Sequence, residues 1–338
     1  MMQAWRIENN NGICALTLSQ IEIGKPGPSE VRIKVHASSI NRRDYNTVKN
    51  PAERNIPLPR IPNSDAAGAV LAVGKDVTEF KPGDRVVTCF FKHWEGGKMR
   101  KSIMESALGG AEEGVLAEEI ILPQTALLPI PDHLTFEEAS TLTVAGVTAW
   151  NGLVVQGNLK AGDTVLIMGT GGVSIFALQF AKIMGARVII TSKSNRKIEK
   201  ARDLGADEGV NYAENPNWDE VILDLTKGMG VDQVIEVGGP GTLQKSINAT
   251  AFGGHIAMIG SLVLGTVNVH PLLRKSIRLS GIFAGSRDMF RDMNAAISAT
   301  RMKPVIHQVF PFLSAQTAYK QLGTENHFGK LVISLSSR

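Results

Sequence analysis

Residues 31–37 alternate apolar and polar side chains, Val-Arg-Ile-Lys-Val-His-Ala, with the period of two that a half-buried strand carries. Residues 68–74 and 84–88 are further strand candidates, separated by turns such as Lys81-Pro82-Gly83-Asp84. The whole stretch from residue 4 to about 129 therefore reads as a β-rich domain with irregular loops. Residues 90–114 show no period and are rich in glycine, charge and methionine, which predicts a long surface loop or lid. His93 and Trp94 open it. An anchor for the loop is the first reading of these two, substrate contact the second.

From about residue 130 the pattern changes. Thr135 stands where a helix cap would, Glu137 and Glu138 follow, and a run of apolar and small residues reaches Trp150, predicting a buried helix. Strand-like and helix-like segments then alternate: strands at 164–168, 187–191, 209–212, 231–237 and 255–260, with helices from 173 and at 195–204, 218–227 and 242–251. This predicts an α/β fold with a doubly wound sheet of about six parallel strands. From about residue 271 the chain leaves that sheet in this reading. A strand at 277–283, helices at 288–300 and 314–322 and a terminal strand at 331–335 follow.

Within the alternating region, Met168 is followed at once by Gly169, Thr170, Gly171, Gly172 and Val173, and apolar residues then recur at helical spacing. A strand, a tight glycine turn and a helix start present backbone amides to an anion, above all to a dinucleotide pyrophosphate. The third glycine of that fingerprint is replaced by Ser174, which is small enough to preserve the reading. Val237 and Gly238 end one later strand, and Gly260 and Ser261 end another. Open parallel sheets bind ligands at such ends, and Gly238 would let a nicotinamide ribose come close.

Composition narrows the class. The 338 residues are long for one core and predict two domains. The 36 basic and 32 acidic residues leave a formal charge of only +4, and no run of cations is long enough for a nucleic-acid face. Residues 164–181 are uncharged, but their glycines and their change from strand to helix argue for a buried unit rather than a membrane span. The N-terminal residues lack the apolar core of a secretory signal. The two cysteines, Cys14 and Cys89, offer no disulfide framework, so a cytoplasmic enzyme is expected.

Five motifs in order carry a family resemblance: Asn41-Arg42-Arg43-Asp44, Ser64-Asp65-Ala66-Ala67-Gly68, Lys81-Pro82-Gly83-Asp84-Arg85-Val86, Ala145-Gly146-Val147-Thr148-Ala149-Trp150, and the glycine turn. The chain resembles the medium-chain dehydrogenase/reductase superfamily over nearly its whole length. That resemblance implies a GroES-like, β-rich catalytic domain, residues 1–128 and 271–338, into which a Rossmann dinucleotide-binding domain, residues 129–270, is inserted. It also implies a homodimer, with residues 263–269 as a pairing strand at the sheet edge.

Zinc members of the superfamily hold a catalytic metal on Cys, His and Cys, and the matching positions here are Asn41, Ser64 and Val144. These side chains do not supply the thiolate and imidazole set that tetrahedral zinc requires. Residues 90–114, where a structural zinc lobe would lie, contain no cysteine. No metal is expected. Without a Lewis acid, hydride delivery to an acceptor that is already electron-poor remains accessible. The implied subgroup is the zinc-independent quinone oxidoreductase-like branch, reducing a quinone or an α,β-unsaturated carbonyl. Two alternatives stand beside it: metal-free reduction of aldehydes or ketones by an NADP-dependent alcohol dehydrogenase, and an inactive NADP-binding sensor or structural module.

An enzyme preferring NAD places a carboxylate at the end of its second Rossmann strand. Here the segment reads Thr191-Ser192-Lys193-Ser194-Asn195-Arg196-Lys197, where Ser192, Lys193, Arg196 and Lys197 offer donors to a 2′-phosphate. NADP, as NADPH, is the expected cofactor, and the resemblance adds Tyr212 to its site. By resemblance Asn41 donates a hydrogen bond to the nicotinamide or the substrate carbonyl, Thr148 touches the nicotinamide ring, and Gly285, Ser286 and Lys330 lie in cofactor-proximal loops. Asp44 and Asp65 fit either a proton relay or a buried structural role. Tyr45 is a candidate proton donor for an enolate, with water as the alternative.

Overall fold

The structure is a computed structural model that describes residues 1–260 and 264–336. The chain divides into two compact units, one built from residues 1–147 together with the segment after residue 284, the other from residues 148–284.

In the first unit β1 (Met2–Ile7) and β2 (Leu16–Ile21) form a small antiparallel sheet. The main sheet begins with β3 (Glu30–Ile40), followed by helix α1 (Arg42–Lys49), β4 (Asp65–Val73), β5 (Arg85–Thr88), the short helix α2 (Lys101–Met104), β6 (Glu119–Pro123), β7 (Leu127–Pro129) and α3 (Phe136–Ser140). The alternation read from residues 31–37 holds for the first part of β3, but residues 37–40 are buried without a break. Helix α3 packs there, with the Phe136 ring stacked 4.4 Å from His36, so both faces of the strand end lose water and the period of two disappears. Thr135 caps α3 as expected: its hydroxyl accepts from Glu138 N at 3.2 Å, while the Glu138 carboxylate accepts from Thr135 N.

The predicted single helix to Trp150 is not one uniform α-helix. After α3 come a π-helical stretch at Leu142–Gly146, the α-turn α4 (Val147–Trp150) and a second π stretch at Asn151–Gln156.

The second unit contains β8 (Thr164–Met168), α5 (Gly172–Ile183), β9 (Arg187–Ser192), α6 (Asn195–Asp203), β10 (Glu208–Asn211), α7 (Trp218–Leu225), β11 (Val231–Glu236), α8 (Pro240–Ala249), β12 (Thr250–Met258), α9 (His270–Arg274) and β13 (Arg278–Gly281). Its six strands lie in the order β10-β9-β8-β11-β12-β13, all parallel. Numbered within the unit this is 3-2-1-4-5-6, the Rossmann order, whose reversal between β8 and β11 opens a crevice for ligands at the carboxyl ends of the strands. The uncharged stretch at 164–181 divides between β8 and α5, and no helix among the described residues is long and apolar enough to cross a membrane.

Three expectations for this unit change. The strand predicted at 277–283 was read as lying beyond the sheet, yet β13 pairs with β12 from His255↔Arg278 to Met258↔Gly281. The compact units join at 147/148 and 284/285, whereas the sequence pattern put the joints at 128/129 and 270/271. The later joint moves because β13 closes the sheet. Of the residues expected to form a pairing edge strand, Val263 lies outside the described residues and residues 264–269 form no strand.

The chain then returns to the first unit with α10 (Arg287–Thr300), β14 (Ile306–Pro311), α11 (Ala315–Gly323) and β15 (Lys330–Ser334). The main sheet runs β14-β15-β3-β4-β5-β7, and β6 also pairs with β3. Its core gathers Trp5, Ile33, Val35, Leu116, Phe310 and Tyr319 among others. Residues 90–114 are not a free lid. Phe90, Phe91, Trp94, Ile103 and Leu108 are buried, Phe91 bridges to Ala107, and Lys92 pairs with Glu112 at 3.1 Å. Trp94 is the anchor the sequence implied, its indole donating to Gly97 O at 3.0 Å, while His93 is exposed.

Candidate functional site

In the second unit β8 ends at Met168 and Gly169 turns the chain with φ of +72°, a conformation that favours glycine. Gly171 caps α5 and Gly172 begins it, so the first amides of a twelve-residue helix face out of the turn. The first turn of α5 holds no acidic side chain, so the positive end of the helix dipole is not internally neutralised. Thr170 and Val173 flank these amides. Ser174 is buried, and its hydroxyl donates to Met168 O at 2.7 Å.

Strand β9 ends on Ser192, where no carboxylate stands. The Ser192 hydroxyl accepts from Ser194 N at 3.3 Å, which leaves its own proton for another acceptor. Helix α6 starts with Asn195, Arg196 and Lys197 and has no acid in its first turn, against the preference of a helix dipole. Lys193 and Arg196 are exposed, and Tyr212 is 39% exposed just after β10. Ser192 thus ends β9, Lys193 lies in the turn after it, and Arg196 and Lys197 fall in the first turn of α6.

At the end of β11 the sequence reading missed a residue. Glu236 is fully buried and accepts from Gly238 N at 2.7 Å, Gly239 N at 3.0 Å and the Thr242 hydroxyl at 2.8 Å, while its second oxygen takes the Ser246 hydroxyl. One carboxylate therefore shapes the turn through Val237 and Gly238 by satisfying its amides. An acid two positions before a Gly-Gly pair, at the end of an apolar strand, was the available signal. Gly260, at the neighbouring strand end, is pressed against Val237, and a Cβ there would overlap the Val237 carbonyl. Ser261 lies outside the described residues. Thr148 also belongs to this unit, where its hydroxyl is buried with no hydrogen-bond partner.

In the first unit three strands bring a polar cluster together. The β15/β3 register pairs Leu331 with Ile40 and so sets Lys330 beside Asn41, and the β3/β4 register sets Ser39 opposite Asp65. The Lys330 ammonium donates to Ile40 O at 2.9 Å and to Asn41 Oδ1 at 2.5 Å, and lies 3.6 Å from Asp65 Oδ2. Asp65 also accepts the hydroxyls of Ser39 and Ser64, both at 2.8 Å. Lys330 is 3% exposed. Burial pulls its pKa down, opposed by the nearby carboxylates of Asp65 and Asp44. Asn41 Nδ2 is buried and has no partner.

This geometry alters several roles drawn from the sequence. Lys330 was placed in a cofactor-proximal loop, but its buried ammonium is engaged within the first unit, donating to Ile40 O and Asn41 Oδ1 and pairing with Asp65. Asp44 was a relay candidate, yet one oxygen accepts Asn41 N at 2.8 Å, capping α1, and the other accepts from Arg43 at 3.2 Å. Burial raises the Asp44 pKa, with Arg43 the main opposing charge. Asp65 is likewise buried and accepts the Ser39 and Ser64 hydroxyls. Tyr45 lies one turn along α1 with its ring between Arg42 and Lys49, 5.4 and 5.9 Å from their charges. Its backbone N donates to Asn41 O at 3.1 Å, but among the described residues no side-chain hydrogen bond links the Tyr45 hydroxyl to Asn41, Lys330 or Asp65. Gly285 and Ser286 belong to the first unit, where the Ser286 hydroxyl caps α10 by accepting from Met289 N at 3.2 Å. Arg43 also donates to Leu108 O at 2.6 Å and lies 4.9 Å above the Phe90 ring, which ties the 90–114 segment to the start of α1.

Residues 27–132 match the alcohol dehydrogenase GroES-like domain and residues 172–299 the zinc-binding dehydrogenase family. A zinc-type alcohol dehydrogenase-like protein of Schizosaccharomyces pombe is 42% identical over 92% of this chain and 92% of its own. The chain belongs to the medium-chain dehydrogenase/reductase superfamily. Human quinone oxidoreductase is 28% identical across 95% of this chain and 94% of its own. The crystal structure of a putative alcohol dehydrogenase from Sinorhizobium meliloti 1021 superposes with a TM-score of 0.93 at 38% identity, covering 99% and 98% of the two chains. This medium-chain protein is thus an oxidoreductase of a nicotinamide-using family, with a GroES-like unit and a Rossmann unit.

The zinc implied by the family name does not suit the donor set here. Asn41 turns its one strong acceptor, Oδ1, towards an ammonium, the Ser64 hydroxyl is committed to Asp65, and Val144 has no donor atom. Among the described residues no group of three or more His, Cys, Asp or Glu could hold a metal ion. Cys89 lies in this unit, buried, with its thiol pushed up to about 12 by desolvation.

Proposed function

We propose that this medium-chain oxidoreductase transfers hydride from NADPH to a quinone or an α,β-unsaturated carbonyl without zinc. The observation that carries the reading is Asn41: its Nδ2 is a buried donor with no partner, at the position where zinc members of the superfamily have a metal-binding thiolate. An unpaired buried donor costs about 1–3 kcal/mol, an expense that a substrate oxygen would offset.

Bound NADPH supplies the hydride. The chain's own residues do the rest by position and charge. The amides at the start of α5 receive the pyrophosphate, and the turn fixed by Glu236 lets the ribose approach Gly238. Ser192 and the cations Lys193, Arg196 and Lys197 favour a 2′-phosphate over two ribose hydroxyls. Thr148 offers its unpartnered hydroxyl to the nicotinamide amide. Negative charge that develops on the acceptor oxygen is met by the Asn41 amide, and a preformed donor of this kind accelerates such steps by about 10²–10³. The Tyr45 hydroxyl has no hydrogen bond to Asn41 or Lys330 among the described residues, and in this reading water delivers the proton.

The test is NADPH oxidation measured across quinones, enones, aldehydes and ketones, with NADH in parallel. Turnover of quinones or enones at rates well above aldehydes supports the proposal. Efficient turnover of aldehydes or ketones alone would favour the second reading, a metal-free carbonyl reductase, for which the 42% identity to an alcohol dehydrogenase-like protein speaks.

A further inference from the structure

We infer that Lys330 is a positioning residue that orients and polarises the Asn41 amide, so that Nδ2 faces the reacting oxygen. The inference rests on the reading of Asn41 as the oxygen's donor.

An asparagine amide has two ends of similar shape and opposite hydrogen-bonding character. Which end faces the site is decided by its neighbours. Lys330 has three donors and no acceptor, so only the amide oxygen can face its ammonium at 2.5 Å. Rotating the amide would set two donors against each other inside a buried site. Lys330 cannot easily swing away, because its ammonium also donates to Ile40 O and pairs with Asp65, and Asp65 is itself held by Ser39 and Ser64. The backbone of Asn41 is fixed independently by the Asp44 carboxylate. Both ends of Asn41 are therefore constrained, and the one group left uncommitted is Nδ2.

The ammonium has a second effect. A cation bonded to the amide oxygen draws electron density from nitrogen and makes the N–H a stronger donor, since linked hydrogen bonds reinforce one another in a low-dielectric site. In a site without the zinc donor set, a fixed lysine thus supplies positive charge one amide removed from the substrate.

The experiment is a double-mutant cycle on Lys330→Met and Asn41→Ala with three readouts: kcat/KM for the best acceptor, Kd for NADPH, and side-chain amide resonances. Each single variant is expected to lose about 10²-fold in kcat/KM, and the double variant to stay within about threefold of Asn41→Ala, as coupled residues do. Kd for NADPH should change less than threefold. Lys330→Arg, which keeps charge and N–H donors, should recover part of the loss. Multiplicative losses, or an unchanged kcat with NADPH bound at least tenfold more weakly, would overturn the inference. The third readout needs no turnover. The side-chain NH2 pair that vanishes in Asn41→Ala should exchange slowly with solvent in the wild-type protein and at least tenfold faster in Lys330→Met. An identical exchange rate overturns the orientation, whatever the substrate proves to be. If Lys330→Met does not fold, Lys330→Gln takes its place in every comparison.

Discussion

The Ser174 hydroxyl donates to the Met168 carbonyl at 2.7 Å, tying the first turn of α5 to the end of β8 across the glycine turn. The dinucleotide fingerprint has glycine at this position for close packing, and serine meets the same need while satisfying a strand-end carbonyl. Ser174→Ala should therefore lower stability by about 1 kcal/mol. Ser174→Gly should lower it further, because glycine in a helix adds up to about 1 kcal/mol. Denaturant unfolding checks both, and a Ser174→Gly variant as stable as wild type would disprove the account. NADPH affinity should stay within about threefold, since the helix amides are untouched.

The end of β9 should decide between cofactors. Ser192→Asp places a carboxylate where ribose hydroxyls would bind and a 2′-phosphate would be repelled. NADPH Kd is expected to rise at least tenfold and NADH Kd to fall. Titration of intrinsic fluorescence with each cofactor measures this directly, and equal affinities in the wild-type protein would already contradict the NADP reading.

Replacing Asn41 by Asp should separate the donor from its support. The carboxylate would still accept from Lys330, so folding should be retained, but the Nδ2 donor is gone. A fall of about 10²-fold in kcat/KM is expected, read from NADPH oxidation. Wild-type protein purified without added metal should hold far less than one equivalent of zinc by elemental analysis.

His255 on β12 gives a pH-dependent term. The ring is 1% exposed, neither nitrogen has a partner, and desolvation, with Arg278 facing it from β13, lowers its pKa from 6.5 to about 4. The folded state holds the ring neutral while the unfolded chain protonates it. Its contribution is complete above pH 6.5 and is lost as the pH falls towards 4. The linkage predicts about 2 kcal/mol lost between pH 7 and pH 5 through this group. Urea unfolding at the two pH values should show that much less loss in His255→Gln. An equal loss in both proteins would remove His255 as the cause.

Much of the second unit was legible in the sequence because each strand and helix carries its own period, and the glycine turn has a local backbone requirement. β13 was misplaced because Arg278-Leu279-Ser280-Gly281 is an edge strand, with exposed residues and no buried run to mark it. The 90–114 segment read as a lid because its buried residues, Phe90, Phe91, Trp94, Ile103 and Leu108, follow no period. Their contacts are set by tertiary packing alone. At the candidate site, Asn41 could be found from its motif, but its orientation could not. That depends on Lys330, 289 positions away along the chain, and only strand register joins them. Glu236 was missed for a related reason: its four donors come from a turn and a helix that exist only once the chain has folded.

The thiol of Cys89 bears on how long such a catalyst would last. Quinones and enones are Michael acceptors, and thiolates add to them rapidly while thiols do not. With its pKa near 12, Cys89 is almost wholly protonated at neutral pH and sealed from solvent. Exposed Cys14 stands apart from Cys89 in the sequence and is the other thiol in the chain. If quinones or enones are the acceptors, Cys89 is protected from alkylation by them, and any slow inactivation during turnover should map to exposed Cys14 in the same unit.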